Sequence, residues 1–250
     1  ALQESEFVPF YQPIFSNRGS EIVGAEVLVR WRHPHKGMLS PGEFIPLAEQ
    51  TGLIDGISHS VVEQALADFR EWKDAAILTQ DFFLTLNVSP VQFQTGEFAD
   101  SLASQCDQAG IAPQEVVVEL TETVFMEINL ATADHFRELR GRGFRIAIDD
   151  FGSGYSSLSL LSDLPADILK IDQTFVHQIG RDNALVPLVL SIGHLLGIRT
   201  VAEGVETKAQ LSYLQRTDID FLQGFFLARP MTKDDLTLMM ESHPQSRVVG

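Results

Sequence analysis

The sequence predicts an α/β protein, a modified (β/α)8 TIM-type barrel with an antiparallel first strand. Three observations lead to that class. Eight short apolar runs alternate with longer segments of helical period. Divided over the 250 residues they recur about every 31 residues, close to the size of one βαβ unit. The first two runs are separated only by a turn at residues 17–19, too short for a parallel crossover.

Runs 8–15 and 22–31 therefore pair as an antiparallel hairpin. A helix over 57–72 follows, because Ile57, Val61, Val62, Ala65, Leu66, Phe69 and Trp72 lie on one stripe. It leads to strand 82–88, and a helical segment 99–108 leads to strand 116–120. There the continuous Val116-Val117-Val118 is what a strand buried on both faces requires. Gly110 before Pro113 stops the preceding helix. A helix over 130–139 ends at Gly141 and Gly143 before strand 145–149, and strand 168–171 follows. A helix over 184–196 stops at Gly197 before strand 200–202; strand 221–223 and a helix over 236–240 complete the pattern.

Composition narrows the function. A hydrophobic fraction of 44% and a charged fraction of 21% are those of a globular chain. With 18 Lys+Arg against 34 Asp+Glu the net charge is 18 − 34 = −16, which excludes a non-specific DNA or RNA binder. The lone Cys106 cannot form an internal disulfide, and its place in a helical segment makes it a core filler. The longest charge-free stretch, 183–198, contains Pro187, Gly193 and His194 and is too short and broken to span a membrane. The chain starts at Ala1 rather than Met, so the expectation is a single domain over 1–250 taken from a longer or processed protein.

In barrels the functional groups come from the carboxyl ends of the strands. Those ends carry Glu26 and Arg30, Asn87, Glu119 with Glu122, Asp149-Asp150, Lys170 with Asp172, Glu203 with Glu206, and Gln223. A solvated strand end accounts for any one of these; seven of eight strands doing the same points to a site. Two like charges 4 Å apart at an effective dielectric near 20 repel by about 4 kcal/mol. Convergence of Glu26, Glu119, Asp149, Asp150 and Glu203 would then rival a domain's net stability of roughly 5–15 kcal/mol, and Lys170 and Arg30 cannot neutralise five carboxylates. Bound cations can. Carboxylates with one amide form a hard donor set, suited to Mg²⁺ or Mn²⁺ rather than Zn²⁺. Consecutive strand residues face opposite ways, so Asp149 and Asp150 share a site only where their strand ends. There one carboxylate can bridge two metals while its neighbour holds the second, the clamp used for displacement at phosphorus. A helix-start aspartate pair, with Ser156 or Ser157 as a cap, is the plainer alternative. The seven histidines show no zinc-site spacing, and no Gly-x-Ser-x-Gly elbow is present.

The string Gly24-Ala25-Glu26-Val27-Leu28-Val29-Arg30-Trp31 resembles the signature of the EAL-domain family, bacterial phosphodiesterases of the second messenger cyclic di-GMP. Further matches are Tyr11-Gln12-Pro13-Ile14, Phe44-Ile45-Pro46-Leu47-Ala48-Glu49, Asn87-Val88-Ser89, Glu119-Leu120-Thr121-Glu122, and Asp149 through Ser157. They continue through Lys170-Ile171-Asp172, Ala202-Glu203-Gly204-Val205-Glu206 and Gln223-Gly224-Phe225, so the resemblance covers residues 11 to 225. Val27 stands where the family's name places alanine; it flanks Glu26 and supplies no ligand.

The resemblance implies a barrel with a reversed first strand and hydrolysis of cyclic di-GMP to the linear 5′-phosphorylated dinucleotide pGpG. It implies that Glu26, Asn87, Glu119 and Asp149 hold one Mg²⁺ or Mn²⁺ and that Asp149, Asp150 and Glu203 serve a second. Lys170 would position the attacking water and Glu203 would be its base. Gln12 and Arg30 would contact substrate, Gln223 would support the metal–water network, and Glu206 is matched with a less defined part in substrate binding. Glu122 would anchor the loop 151–157, which in this family links the site to a homodimer interface. A cytoplasmic domain is expected, attached to an inner membrane only through a missing N-terminal region. Two rivals stay open: a catalytically silent cyclic di-GMP sensor, and a barrel glycosidase, which needs two carboxylates and no metal.

Overall fold

The computed structural model describes residues 1–17, 21–122, 124, 130–152, 166–180 and 185–242. Among them nine strands form one sheet: β1 (Phe7–Ser16), β2 (Ile22–His33), β3 (Gly37–Leu39), β4 (Phe83–Asn87), β5 (Val116–Thr121), β6 (Arg145–Phe151), β7 (Ile168–Ile171), β8 (Arg199–Ala202) and β9 (Phe221–Leu222). Their order is β1-β9-β8-β7-β6-β5-β4-β2-β3, and β1 also pairs with β2, which closes eight of them into a barrel. β1 is antiparallel to both β2 and β9, while β2–β4 and every pair from there to β9 are parallel. The reversed first strand expected from the short turn is present; residues 18–20 of that turn lie outside the described residues.

β3 was not expected. It folds back on the end of β2, pairing His33 with Gly37, and Pro34 and the surrounding charges break the apolar pattern that would announce a strand. The described helices are α1 (Ile45–Thr51), α2 (Ile54–Asp74), α3 (Pro90–Thr95), α4 (Phe98–Ala109), α5 (Leu130–Gly141), α6 (Gln173–Val176), α7 (Leu185–Leu196), α8 (Lys208–Leu214) and α9 (Lys233–Ser242). The stripe read for α2 is its buried face, extended by Ile54. Gly110 ends α4 in the left-handed conformation, as read. α1, α3, α6 and α8 are too short for periodicity to reveal. Yet α8 begins on a capping box, Thr207 Oγ1 accepting from Gln210 N–H at 3.3 Å and Gln210 Oε1 from Thr207 N–H at 2.8 Å. Cys106 is buried in α4, and burial pushes its thiol up to about 12, so it is an inert filler. Ala184, the caps read at Ser156 and Ser157, and His243 lie outside the described residues.

Two cores result. One packs the helices on the outer face of the sheet. The other fills the barrel with Ile14, Phe83, Val117, Ala147, Ile168, Val201 and Phe221. Strand side chains alternate, so the next inward residue on each strand lies one layer higher. Val117 is thus followed by Glu119, Ala147 by Asp149, Ile168 by Lys170, Val201 by Glu203 and Phe221 by Gln223. An apolar plug therefore forms the floor of an ionisable layer. Gly24, two residues before Glu26, makes room for that plug: a Cβ there would lie 2.7 Å from the Phe83 carbonyl oxygen.

Candidate active site

Lys170 stands at the centre of the ionisable layer. Its Nζ lies 2.7 Å from Glu203 Oε1, 2.8 Å from Glu119 Oε2, 3.2 Å from Asp149 Oδ1 and 3.6 Å from Glu26 Oε2. Glu26 is held from both sides, accepting from Asn87 Nδ2–H at 2.8 Å and from Gln223 Nε2–H at 2.7 Å. The end of β6 explains the remaining acid. Its pairing with β7 is irregular between Ile148 and Phe151, and Asp150 takes a left-handed backbone with φ 55°. That break in alternation lets Asp149 and Asp150 act together, and oxygens of Asp149, Asp150 and Glu203 lie within 4.8 Å of one another.

The electrostatics are those of an over-populated acid cluster. Burial alone would lower the Lys170 pKa, but Glu119, Glu203, Glu26 and Asp149 outweigh it and keep the ammonium charged. Burial drives the Glu119 carboxyl up against the pull of Lys170, with Glu26 and Asp149 adding to the rise. Glu203 is pushed up to about 8 by burial, with Asp149 and Glu26 reinforcing and Lys170 opposing. Asp150 rises to about 6 through burial, Asp149 and Asp172. One lysine does not offset these acids. The residues fit a divalent cation on a second count: among the described residues the buried Glu119 Oε1 and Gln223 Oε1 have no hydrogen-bond partner, leaving oxygen donors free in the layer.

A stability dependence follows. Glu203 and Asp150 have folded values above their ordinary 4.5 and 3.8, so the folded chain holds protons the unfolded chain has released. Their stabilisation is complete below those ordinary values and is lost as pH rises through about 6 and then about 8. In chelator, Tm should fall by several degrees between pH 6 and 9, and added Mg²⁺ or Mn²⁺ should recover more at pH 9 than at pH 6. A Tm that is flat or rising over that window in chelator would refute the assignment.

The other sequence-derived candidates fall around this layer. Gln12 is the register partner of Glu26 on β1, and its Nε2–H donates to the Ala228 carbonyl at 3.2 Å. With Glu26, Asp149, Lys170, Glu203, Glu206 and Gln223 it lines a cavity of about 230 Å³. Glu206 at its rim lies 3.6 Å from His177 Nε2. Arg30 is not drawn into the Lys170 cluster; it sits further along β2, donating to its own Val29 carbonyl at 2.9 Å with its guanidinium 5.7 Å from the Phe10 ring centre. Glu122 Oε2 accepts from Gly152 N–H at 2.8 Å, tying the start of the 151–157 loop; its residues 153–157 lie outside the described residues. Asp172 caps α6, accepting from Thr174 N–H at 2.8 Å.

Phe225 and Arg229 were missed as a pair. The guanidinium lies 4.5 Å from the Phe225 ring centre at the cavity edge, and Phe225 has no ionisable group to mark it in sequence. Gly224 shows why this turn is built as it is. A Cβ there would lie 2.2 Å from Val205 N and 2.3 Å from its carbonyl oxygen. Gly224→Ala should cost about 1–3 kcal/mol and displace Gln223 from Glu26. An unchanged denaturation midpoint would refute it.

Fold and site together define a closed barrel with a lysine-centred acid cluster at the carboxyl ends of its strands. Comparison with known proteins places it further: the family model described as EAL domain matches residues 1–230, and the chain belongs to that family. It is 38% identical over 239 residues to the bifunctional diguanylate cyclase/cyclic di-GMP phosphodiesterase MucR of Pseudomonas aeruginosa, covering 94% of this chain and 35% of that protein. It is 38% identical over 252 residues to the probable cyclic di-GMP phosphodiesterase PdeG of Escherichia coli, covering 100% of this chain and 49% of that protein. The chain thus spans half or less of these curated relatives. A solved structure described as PaMucR phosphodiesterase, c-di-GMP complex, matches with a TM-score of 0.89 at 38% identity, covering 94% of this chain and 96% of that one.

Proposed function

We propose that this domain hydrolyses one phosphodiester of cyclic di-GMP to the linear 5′-phosphorylated dinucleotide pGpG, using two Mg²⁺ or Mn²⁺ ions. The observation that carries the reading is the convergence of Glu26, Glu119, Asp149 and Glu203 on Lys170, with Asp150 beside them. Glu26, Asn87, Glu119 and Asp149 would hold one ion, and Asp149, Asp150 and Glu203 the other. The ions would supply charge neutralisation at the phosphate and a water of lowered pKa. Lys170 Nζ would orient that water, and Glu203, whose Oε1 lies 2.7 Å from Lys170 Nζ, would take its proton. Attack at phosphorus would break the bond to the 3′ oxygen, which takes up a proton to leave as the hydroxyl, and the phosphate would stay on the 5′ oxygen. Gln12 and Arg30 bind the substrate, Gln223 fixes Glu26, and Glu206 lies at the cavity rim as a further substrate contact.

The sensor alternative differs in outcome rather than in binding. Every ligand position named above is filled by a competent residue, which favours turnover. Incubation of cyclic di-GMP with the domain, with Mg²⁺ or with chelator, followed by chromatography, tests it. A linear dinucleotide formed only with metal supports the proposal; intact substrate in both samples at high protein concentration replaces it with the sensor. Homodimerisation through the 151–157 loop belongs to the same proposal, in which Glu122, accepting from Gly152 N–H, would anchor the start of that loop. Specific activity should then rise with protein concentration, and a concentration-independent value would refute it. A cytoplasmic domain fits a cytoplasmic messenger, and no described helix is long and apolar enough to cross a membrane.

A further inference from the structure

The barrel has a second charged layer, below the plug. Arg145 opens β6 two residues before Ala147, and Arg199 opens β8 two residues before Val201. By strand alternation both point inward at the amino ends of the strands, the face opposite the acid cluster. Each guanidinium lies over a plug phenylalanine: Arg145 4.8 Å from the centre of Phe83 and Arg199 5.3 Å from that of Phe221, rings that are themselves 5.6 Å apart.

Neither arginine has a carboxylate within ion-pairing distance among the described residues, although 34 acids are available in the chain. Arg145 Nε is buried with no hydrogen-bond partner among the described residues. Burial and the neighbouring Arg199 push the Arg145 pKa down to about 10, against Asp167, Asp81 and Glu115. Two of those acids are already committed: Asp167 to Arg140 and to Ile146 N–H, and Glu115 to Lys73. A guanidinium stacked on a ring keeps its in-plane N–H donors free, and that fork matches two oxygens of a phosphate.

We propose that Arg145 and Arg199 form an anion site at the barrel floor that takes the phosphate group of a small molecule. The site is separate from the phosphodiesterase reading and stands if that reading fails. The test uses the whole chain with chelator present, so that the acid cluster repels rather than recruits phosphate. Inorganic phosphate and AMP are titrated while the arginine side-chain Nε–H resonances are followed. Saturable shifts of Arg145 and Arg199 with one common Kd are expected, together with at least a tenfold weaker Kd in R145Q and in R199Q and none in R70Q. Tighter AMP binding would identify a nucleotide as the source; equal binding would identify free phosphate. Shifts that stay linear at millimolar anion, or equal weakening in R70Q, would overturn the site. Should the glutamine variants fail to fold, the wild-type titration decides alone, with R145K and R199K assigning the two resonances.

Discussion

Replacing Asp149 by alanine is expected to abolish turnover of cyclic di-GMP. In the proposed assignment Asp149 is the ligand shared by both cation positions: like Glu203 it lies close to Lys170, at 3.2 Å, and its oxygens group with those of Asp150 and Glu203. Removing it would strip a donor from both cation positions at once. Ions held there would contribute several kcal/mol to the transition state, so kcat should fall on the order of 10³-fold or more. The fold should survive, because the change relieves repulsion that raises Glu119, Asp150 and Glu203. In chelator, Asp149→Ala should therefore be no less stable than the parent chain. Full activity with Mg²⁺ would reject the assignment of Asp149 as a bridging ligand.

Lys170→Ala should separate chemistry from cation binding. Cation affinity should be largely retained, since no donor oxygen is lost, while kcat drops roughly 10²–10³-fold for want of an oriented water. Stability moves the other way from Asp149→Ala. Lys170 is fully enclosed and offsets four carboxylates, and removing one partner of a buried charge cluster costs about 3–5 kcal/mol. Metal-free Lys170→Ala should thus melt well below the parent chain and be rescued by Mg²⁺ or by lower pH. An unchanged kcat would reject its role in placing water, and an unchanged metal-free Tm would reject its role as the counter-charge.

Much of this was legible in the sequence because barrel geometry turns strand ends into a list of site residues. The polar ends of β2, β4, β5, β6, β7, β8 and β9 were readable, and they surround Lys170. What periodicity could not reveal were elements shorter than a repeat: β3, with Pro34 and charges around its turn, α1, and α3, α6 and α8, which begin on side-chain caps at Ser89, Asp172 and Thr207 rather than on stripes. Asp172 ends a strand and its side chain has two parts: it caps α6 and also bears on Asp150, raising that carboxyl. Arg30 read as part of the same layer, yet it lies beyond the cluster because β2 continues to His33. The pairing of Arg229 with Phe225 depends on a turn conformation that no local pattern encodes.

The reversed first strand has a consequence for how the chain becomes a barrel. Phe15 pairs with Leu222, and Tyr11 exchanges backbone hydrogen bonds with Met231 at 2.8 and 2.9 Å, joining residues more than two hundred positions apart. The hairpin of β1 with β2 is local and can form early, whereas the seam with β9 must wait until nearly all the chain has been placed. Until then β1 and β9 each present an open strand edge, the kind that recruits strands from other molecules. The last contact made is the one that separates a closed barrel from a sheet with two adhesive borders.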